Sequence, residues 1–510
     1  MTIEPAQADF EAKYALGASQ VVWTRLIDDL ETPVSAYLKI AQGRPYAFLF
    51  ESVEGGAWRG RYSVITMNPD LVWRCRGDVA EVAEGADIEA GRFTPQAGGA
   101  LDSLRDLVAA SRLDLPAGLP PMSAGVFGAI GYDMIRLVEK LPNVNPDPLG
   151  LPDGLMTRPS IVAIFDAIAQ EIILVTTVRP SATPAAQAYA EAQARLEAVM
   201  ADFRKPAPPL TGKGAPQPDQ FTTPVSRETY RGMVEKAKEY IRAGDIFQVV
   251  PSHRFRAPFA YEPFALYRSL RRMNPSPFLF YLNFGDFQLA GSSPEILVRL
   301  RDGKITIRPI AGTRPRGATP EEDRRLEAEL IADPKERAEH LMLLDLGRND
   351  VGRVAMLKAQ GANQAAPASR APRVRVTASF FVERYSHVMH LVSNVEGDAP
   401  EGLDPVDVLM AALPAGTLSG APKVRAMEII DELEIEKRGI AYAGAVGYFG
   451  ADGSVDTCIV LRTACFKDGQ VYVQAGGGVV ADSDPDAEYD ETLHKARAIR
   501  RATEEAWRFV

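Results

Sequence analysis

Three carboxylates and one ammonium recur at helical spacing in this 510-residue chain, a pattern suited to a divalent cation or an anionic ligand. Glu488, Glu491 and Lys495 stand at i, i+3 and i+7, so two carboxylates and one ammonium project from a single helix side. Mg²⁺ prefers oxygen ligands and keeps waters and substrate oxygens in its shell, which two carboxylates fit; a solvated acidic helix face is the plainer alternative. Glu339 shares a stripe with Met342, Leu343 and Leu346, where a buried charge needs a partner. A surface pair with Lys335, one turn earlier, satisfies the same spacing. Spacing alone leaves both readings open.

Other groups could handle an anion or a proton. Gly476, Gly477 and Gly478 lie between a strand-like run and a helix start, and glycines let a ligand approach the backbone. Thr417 and Ser419 offer hydroxyls between glycines in PAGTLSGAPKVRAMEI, a turn-rich approach to a helix. His390 sits in a β-branched strand pattern, either as a core histidine or as a proton carrier. Arg462 is one cation within an apolar strand, paired structurally or aimed at a carboxylate. Cys75, Cys458 and Cys465 form no metal-ligand spacing and read as buried thiols.

The elements that must position these groups carry local signals. Asp333 followed by Pro334, with Glu336 three residues after the cap, predicts a helix start, as do Asp484 and Pro485. Thr183 as cap with Pro184 predicts an Ala-rich helix before the tract 205–226, whose prolines and glycines predict a linker. Runs such as Ala47 to Phe50, Ile161 to Phe165 and Ile172 to Val175 predict a first domain, residues 1–204, built around a sheet. Beyond the linker, strand-like runs (Ile246 to Val250, Phe278 to Leu282, Ile305 to Ile310, Ala443 to Phe449, Val471 to Gln474) alternate with helical ones in a second domain, 227–510. The class is α+β, or mixed α/β. The segment 358–372 reads as a surface loop.

Composition narrows the partners. With 46% apolar and 24% charged residues the chain is globular, and its formal charge of −10 disfavours a nucleic-acid binder. The most apolar stretch, Ile161 to Val178, is broken by Asp166, Gln170 and Glu171, so no membrane span is expected; it reads as two strands joined by a turn. No secretory signal is visible at the N-terminus, and a cytoplasmic location is the expectation.

Read together, the motifs GDIFQVVPS, GSSPEILVRL, RPIAGTRPRG, AEHLMLLDLGRND, RYSHVMHLVSNVEG, GTLSGAPKVRAMEII, YAGAVGYFG, IVLRTA and AGGGVVADSDPDAEYDETLHKA resemble the chorismate-utilising family. That family includes anthranilate, aminodeoxychorismate, isochorismate and salicylate synthases. The resemblance runs from about Tyr230 to Ala502 and implies large β-sheets packed face to face with helices outside. It implies Glu339 and Glu491 as Mg²⁺ ligands with Glu488 nearby. Substrate contacts are implied at Gly312, Thr313, Tyr442, Arg462, Gly476 to Gly478 and Lys495. Glu295 matches the acid that helps the 4-hydroxyl leave, while His390 and Thr417 match positions near the reacting ring.

Two positions discriminate within the family. Isochorismate synthases carry a lysine base where this chain has Gln248, and aminodeoxychorismate synthases a lysine nucleophile where it has Ala311. The resemblance therefore implies ammonia as nucleophile and anthranilate plus pyruvate as products. Aminodeoxychorismate formation and a non-catalytic tryptophan sensor are the alternatives, and paired carboxylates alone would also suit a metallohydrolase. No glutaminase module is recognised, so a separate glutamine amidotransferase subunit is expected to supply ammonia, in a complex of two synthase and two glutaminase subunits. LFES at 49–52, with Ser52, and Pro277, Phe278 and Leu279 match a tryptophan feedback pocket bridging the two domains.

Overall fold

Two strands are long enough to serve two sheets at once. Tyr62–Arg76 and Gly154–Asp166 pair antiparallel along their lengths, with a register shift between Pro69 and Leu71 next to Asn68, whose φ is +51°. An irregularity of this kind bends a strand and raises its twist. On one side of the bend the ladder continues through Ala47–Glu51, Phe278–Asn283, Gln288–Ser293, Thr463–Lys467 and Gln470–Gly476 to Ser252–Pro258. On the other it continues through Gly125–Ile130, Ala445–Gly450, Val455–Ile459, Ile296–Arg301 and Lys304–Ile307 to Val388–Asp398. The architecture is that of a computed structural model describing residues 2–52, 60–208, 214–357, 374–385 and 388–510. The predicted loop 358–372 and residues 209–213 of the linker lie outside the described residues.

The two wings face one another. Trp23, Phe48 and Phe280 from the first share a buried cluster with Phe127, Val446 and Cys458 from the second. Helices cover the outer faces: Pro33–Ile40, Ala185–Phe203, Pro263–Met273 and Pro485–Glu505 on the first wing, Ala100–Ala110, Pro334–Ala355 and Pro405–Ala412 on the second. The mixed α/β class, with sheets face to face and helices outside, is the one the chain adopts. Strands from both sides of the linker pair directly, Ala47–Glu51 with Phe278–Asn283 and Gly125–Ile130 with Ala445–Gly450.

Several local expectations hold and several shift. Asp333 accepts from the amides of Lys335 and Glu336, and Asp484 from those of Asp486 and Ala487, so both Asp-Pro caps form. Ile161 to Val178 is two strands joined by a turn. The cap of the Ala-rich helix is Pro184 rather than Thr183, whose amide instead bonds Ser181. The run Ile305 to Ile310 is not one strand: Lys304–Ile307 ends before Pro309, which lacks an amide, and Ile310–Pro315 begins anew. Only Gln248–Val249 of the run Ile246 to Val250 is strand, pairing with Gly420–Ala421. Arg462 lies between strands, not within one, at φ +48°. No described helix is long and apolar enough to cross a membrane. All three cysteines are buried, as free thiols.

Phe48 is fully buried between the wings, its ring centroid 5.0 Å from that of Phe284. Phe48→Ala is expected to destabilise the chain by about 3–5 kcal/mol, read as a lowered urea midpoint with unchanged slope.

Candidate active site

The site collects where the helices Pro334–Ala355 and Pro485–Glu505 meet strand ends of both wings, that of Gln470–Gly476 among them, and the turn Gly416–Leu418. Its driest part centres on Glu295, 8% exposed, whose carboxylate accepts the Thr417 hydroxyl at 3.2 and 3.3 Å. Burial pushes the Glu295 carboxyl up to about 8, opposed by the Thr417 hydrogen bond and the positive charge of Arg462. Arg462 is driven down by the same burial, and its guanidinium makes no hydrogen bond or ion pair among the described residues. Ser419, the second hydroxyl of the loop, instead donates to Ala415 O at 2.9 Å and serves the turn itself.

His390 lies beside this pair. Its Nδ1 is 2.9 Å from Gly312 O, an acceptor, so Nδ1 carries the hydrogen and Nε2 bears the lone pair; Thr313 Oγ1 lies 3.1 Å from the same Nδ1. Burial lowers the imidazole to about 4, so it is neutral near pH 7. Gly312 has φ +66°, and a Cβ there would meet Glu336 Oε2 at 3.0 Å. Ala311 precedes it on the strand, opposite Leu391.

The glycine run forms the opposite wall. Lys495 Nζ donates to Gly476 O at 2.9 Å and pairs with Glu491 Oε1 at 2.7 Å. The Tyr442 hydroxyl bonds the Gly476 backbone, and burial raises its pKa. A Cβ at Gly477 would meet Glu488 Oε2 at 2.6 Å, and one at Gly478 the Gln248 amide at 2.7 Å. Those two neighbours are the ends of flexible side chains and could shift, whereas a Cβ at Gly476 would meet the backbone oxygen of Pro251 at 2.6 Å, so close approach demands glycine there; the uncharged Gln248 is part of the cradle.

Glu491 acts electrostatically on both Glu339 and Glu488. Burial first, then Glu336 and Glu491, raise Glu339, with Lys495 and Lys335 opposing. The Lys335–Glu339 surface pair, one of the two readings that spacing left open, is not formed among the described residues. Glu488 accepts Ser483 Oγ at 2.7 Å through Oε1, while its Oε2 is buried without a partner. No three metal-ligating side chains among the described residues already converge on one point. The donor set nonetheless fits a hard cation: half-buried carboxylates that repel one another, one with an orphaned oxygen, gain from a positive charge between them.

Ser52, Pro277, Phe278 and Leu279 come together elsewhere, in a cavity of about 150 Å³ between the wings. Phe50, Phe127, Val446 and Tyr448 supply apolar lining; Arg299, Arg301 and Asp456 supply charge. Asp456 pairs with Arg299 at 3.0 Å and Arg301 at 3.2 Å, and Arg301 Nε is buried without a partner.

Some supporting residues are not marked by spacing. Tyr230 accepts the Gly477 amide at 3.1 Å and donates to Pro251 O at 3.0 Å, from a helix 247 residues earlier in the chain. Lys423 pairs with Asp350 at 2.8 Å, both buried, tying the helix after the Thr417 turn to the helix that carries Glu339. The Asp350 in LGRND and the Lys423 in GAPKV were available as charges in apolar surroundings, but nothing local pairs them.

Comparison with known proteins identifies the family. A family model described as chorismate binding enzyme matches residues 72–501. The chain is 56% identical over 503 residues to anthranilate synthase component 1 of Cereibacter sphaeroides, covering 98% of each, and 46% identical over 480 residues to that of Thermus thermophilus, covering 94% of this chain and 96% of the relative. The solved anthranilate synthase component I from Streptococcus pneumoniae superposes with a TM-score of 0.74 at 36% identity, covering 93% of this chain and 99% of that one. The menaquinone-specific isochorismate synthase from Escherichia coli shares the fold at 18% identity, with a TM-score of 0.70, covering 98% of this chain and 100% of that one. With a buried acid, a neutral histidine and a glycine cradle in the segments that the family model spans, the chain belongs to the chorismate-binding enzymes.

Proposed function

We propose that the chain is the synthase component of an anthranilate synthase, converting chorismate and ammonia to anthranilate, pyruvate and water. The observation that carries this reading is Glu295, buried, protonatable near neutral pH and held by Thr417, beside a neutral His390. Near-full-length identity to proteins named anthranilate synthase component 1 supports it.

Ammonia adds at ring carbon 2 while the 4-hydroxyl leaves as water, taking its proton from Glu295, and the ammonium formed returns a proton that restores the acid. His390, with Nε2 unprotonated, takes the carbon-2 proton as the carbon 3–oxygen bond to the enolpyruvyl group breaks and the ring becomes aromatic, and the released enolpyruvate takes up that proton to become pyruvate. Arg462, Lys495, Tyr442, Thr313 and the backbone of Gly312 and Gly476 to Gly478 bind and orient a dicarboxylate. Metal dependence is general in the family; here Glu339 and Glu491, with Glu488 beside them, would hold Mg²⁺, which would supply positive charge for the ring carboxylate. Incubated with chorismate, ammonium and Mg²⁺, the purified chain should yield fluorescent anthranilate, and Glu339→Gln or Glu491→Gln should lower its rate by more than about 100-fold. Accumulation of 4-amino-4-deoxychorismate instead, or full turnover in both variants, would refute these roles.

Glu295 acts in its protonated form, so kcat should fall as pH rises through about 8 when free ammonia is held constant. The Thr417 hydrogen bond favours the charged carboxylate, so Thr417→Val should move that limb to higher pH. A pH–kcat profile with an unmoved limb would remove Glu295 as the acid.

The cavity between the wings is read as a tryptophan site in which residues 1–204 regulate the catalytic residues 227–510, joined by 205–226. Its apolar walls suit an indole, and Ser52, Asp456 and the unpartnered Arg301 Nε suit an amino acid's charged end. The name component 1 implies a further component; we assign it as a glutamine amidotransferase supplying ammonia to a cytoplasmic complex of two subunits of each kind. Ser52→Ala should raise the tryptophan concentration for half-inhibition by about tenfold with uninhibited turnover retained. An inhibition curve unchanged by the substitution would exclude Ser52 from the site.

A further inference from the structure

Arg438 is 2% exposed and follows the helix Lys423–Leu433. Its Nη1 donates to Leu418 O at 2.6 Å and its Nη2 to Val250 O at 2.7 Å, while Nε bonds both oxygens of Glu434 at 3.1 and 3.0 Å. Leu418 follows Thr417, and Val250 ends the segment that carries Gln248. Glu434 also accepts the amide and hydroxyl of Ser252 at 2.8 and 2.7 Å, and Ser252 stands opposite Gly476 in register. One guanidinium thus holds the acid's turn, the Gln248 strand and, through Glu434, the glycine wall.

The guanidinium also lies against two rings, Tyr132 at 4.8 Å and Tyr442 at 5.3 Å. Tyr132 comes just after the strand Gly125–Ile130, and Tyr442 just before the strand Ala445–Gly450. These strands pair, Ile130 with Ala445 and Phe127 with Tyr448, and Phe127, Val446, Gly447 and Tyr448 line the cavity between the wings. Gly439 N donates to Asp133 Oδ2 at 2.8 Å, and Arg136 bridges Asp133 and Asp431, so the two segments are fastened together. The Tyr132 hydroxyl is buried without a hydrogen-bond partner, so the ring is what it contributes.

We infer that Arg438 is a positioning residue, clasped by Tyr132 and Tyr442, that sets the Thr417 turn and the Gln248 strand and transmits to them any shift of the strand pair lining the cavity. Its hydrogen bonds are directional and the rings at both strand ends lie against it, so a shift of the pair changes where Leu418 and Val250 are held. The kinetic side of this inference rests on the reaction proposed above, and the transmission on the cavity accepting tryptophan.

Removing Arg438 would leave Glu434 buried and unpaired, so the test uses Tyr132→Leu with Tyr132→Phe as the conservative partner, both in the full chain. Tyr132→Leu should lower kcat on the order of tenfold, a misplacement effect. Its chorismate KM should change by less than about threefold. Tryptophan should still bind by calorimetry, but its effect on chorismate KM should weaken by at least about fivefold. Hydrogen exchange at residues 416–419 and 248–250 should quicken, and Tyr132→Phe should match the wild type throughout. Wild-type kinetics and exchange in Tyr132→Leu would overturn the inference. So would equal losses in both variants that follow only the folded fraction. A wild-type chain that ignores tryptophan would remove the regulatory reading, and one that makes no anthranilate would remove the reaction; hydrogen exchange decides the positioning role in either case.

Discussion

Glu295 and Arg462 stand together in a wall of apolar strands, and burial drives each toward its neutral form, the acid upward and the guanidinium downward. Taking a charge out of water costs several kcal/mol unless partners replace the lost hydration. Elsewhere that cost is met within the chain, by Lys423 with Asp350, Arg438 with Glu434, and Arg136 with Asp133 and Asp431. At the site it is left partly unmet. Arg462 has no hydrogen-bonding partner among the described residues, and Glu488 keeps an orphaned oxygen. An anionic ring and a cation between the carboxylates would complete what the fold leaves open, which is how a chain of net charge −10 can bind a dicarboxylate.

The same requirement for a dry, rigid surround explains the shared strands. Because Tyr62–Arg76 and Gly154–Asp166 run through both wings, the inter-wing cavity and the second-wing residues Glu295 and His390 belong to one hydrogen-bonded network. A ligand wedged between the wings must act on strand ends rather than on a loose hinge, because packed sheets shift between discrete arrangements more readily than they deform. Reciprocity then follows: whatever weakens chorismate binding from the cavity is weakened equally by chorismate.

What could be read from sequence was what is local. Asp333–Pro334 and Asp484–Pro485 announced their helices because a cap is satisfied within three residues. The mixed class was legible from β-branched runs, and the face-to-face sheets from the resemblance. Spacing aligned Glu488, Glu491 and Lys495 but could not say that Glu488 turns inward to Ser483 while Glu491 pairs with Lys495 in half-exposure. Arg462 was misplaced in a strand because hydropathy continues unbroken across a residue of positive φ. Tyr230 was silent because Pro251 and Gly477 lie far away in sequence, and Arg438 because, beyond its near neighbours Glu434 and Tyr442, it reaches Leu418, Val250 and Tyr132, where no periodicity extends. The cavity residues came from motif resemblance, since Ser52 and Pro277 are brought side by side only by the pairing of Ala47–Glu51 with Phe278–Asn283.

The choice of nucleophile turns on what is missing as much as on what is present. Gln248 is buried against Gly478, and an amide there can donate or accept a hydrogen bond but cannot take a proton. A lysine in the same dry pocket would have its pKa lowered and could activate water. Ammonia, unlike water, is nucleophilic enough to attack without first losing a proton; it needs a group that removes a proton afterwards. At Ala311, on the strand beside Gly312, there is no amine to attack the ring in its place. The unprotonated Nε2 of His390, held by the hydrogen bond from Nδ1 to Gly312, is a basic atom that such a step could use. Addition of ammonia followed by proton removal is the sequence of steps that such a set of groups can support.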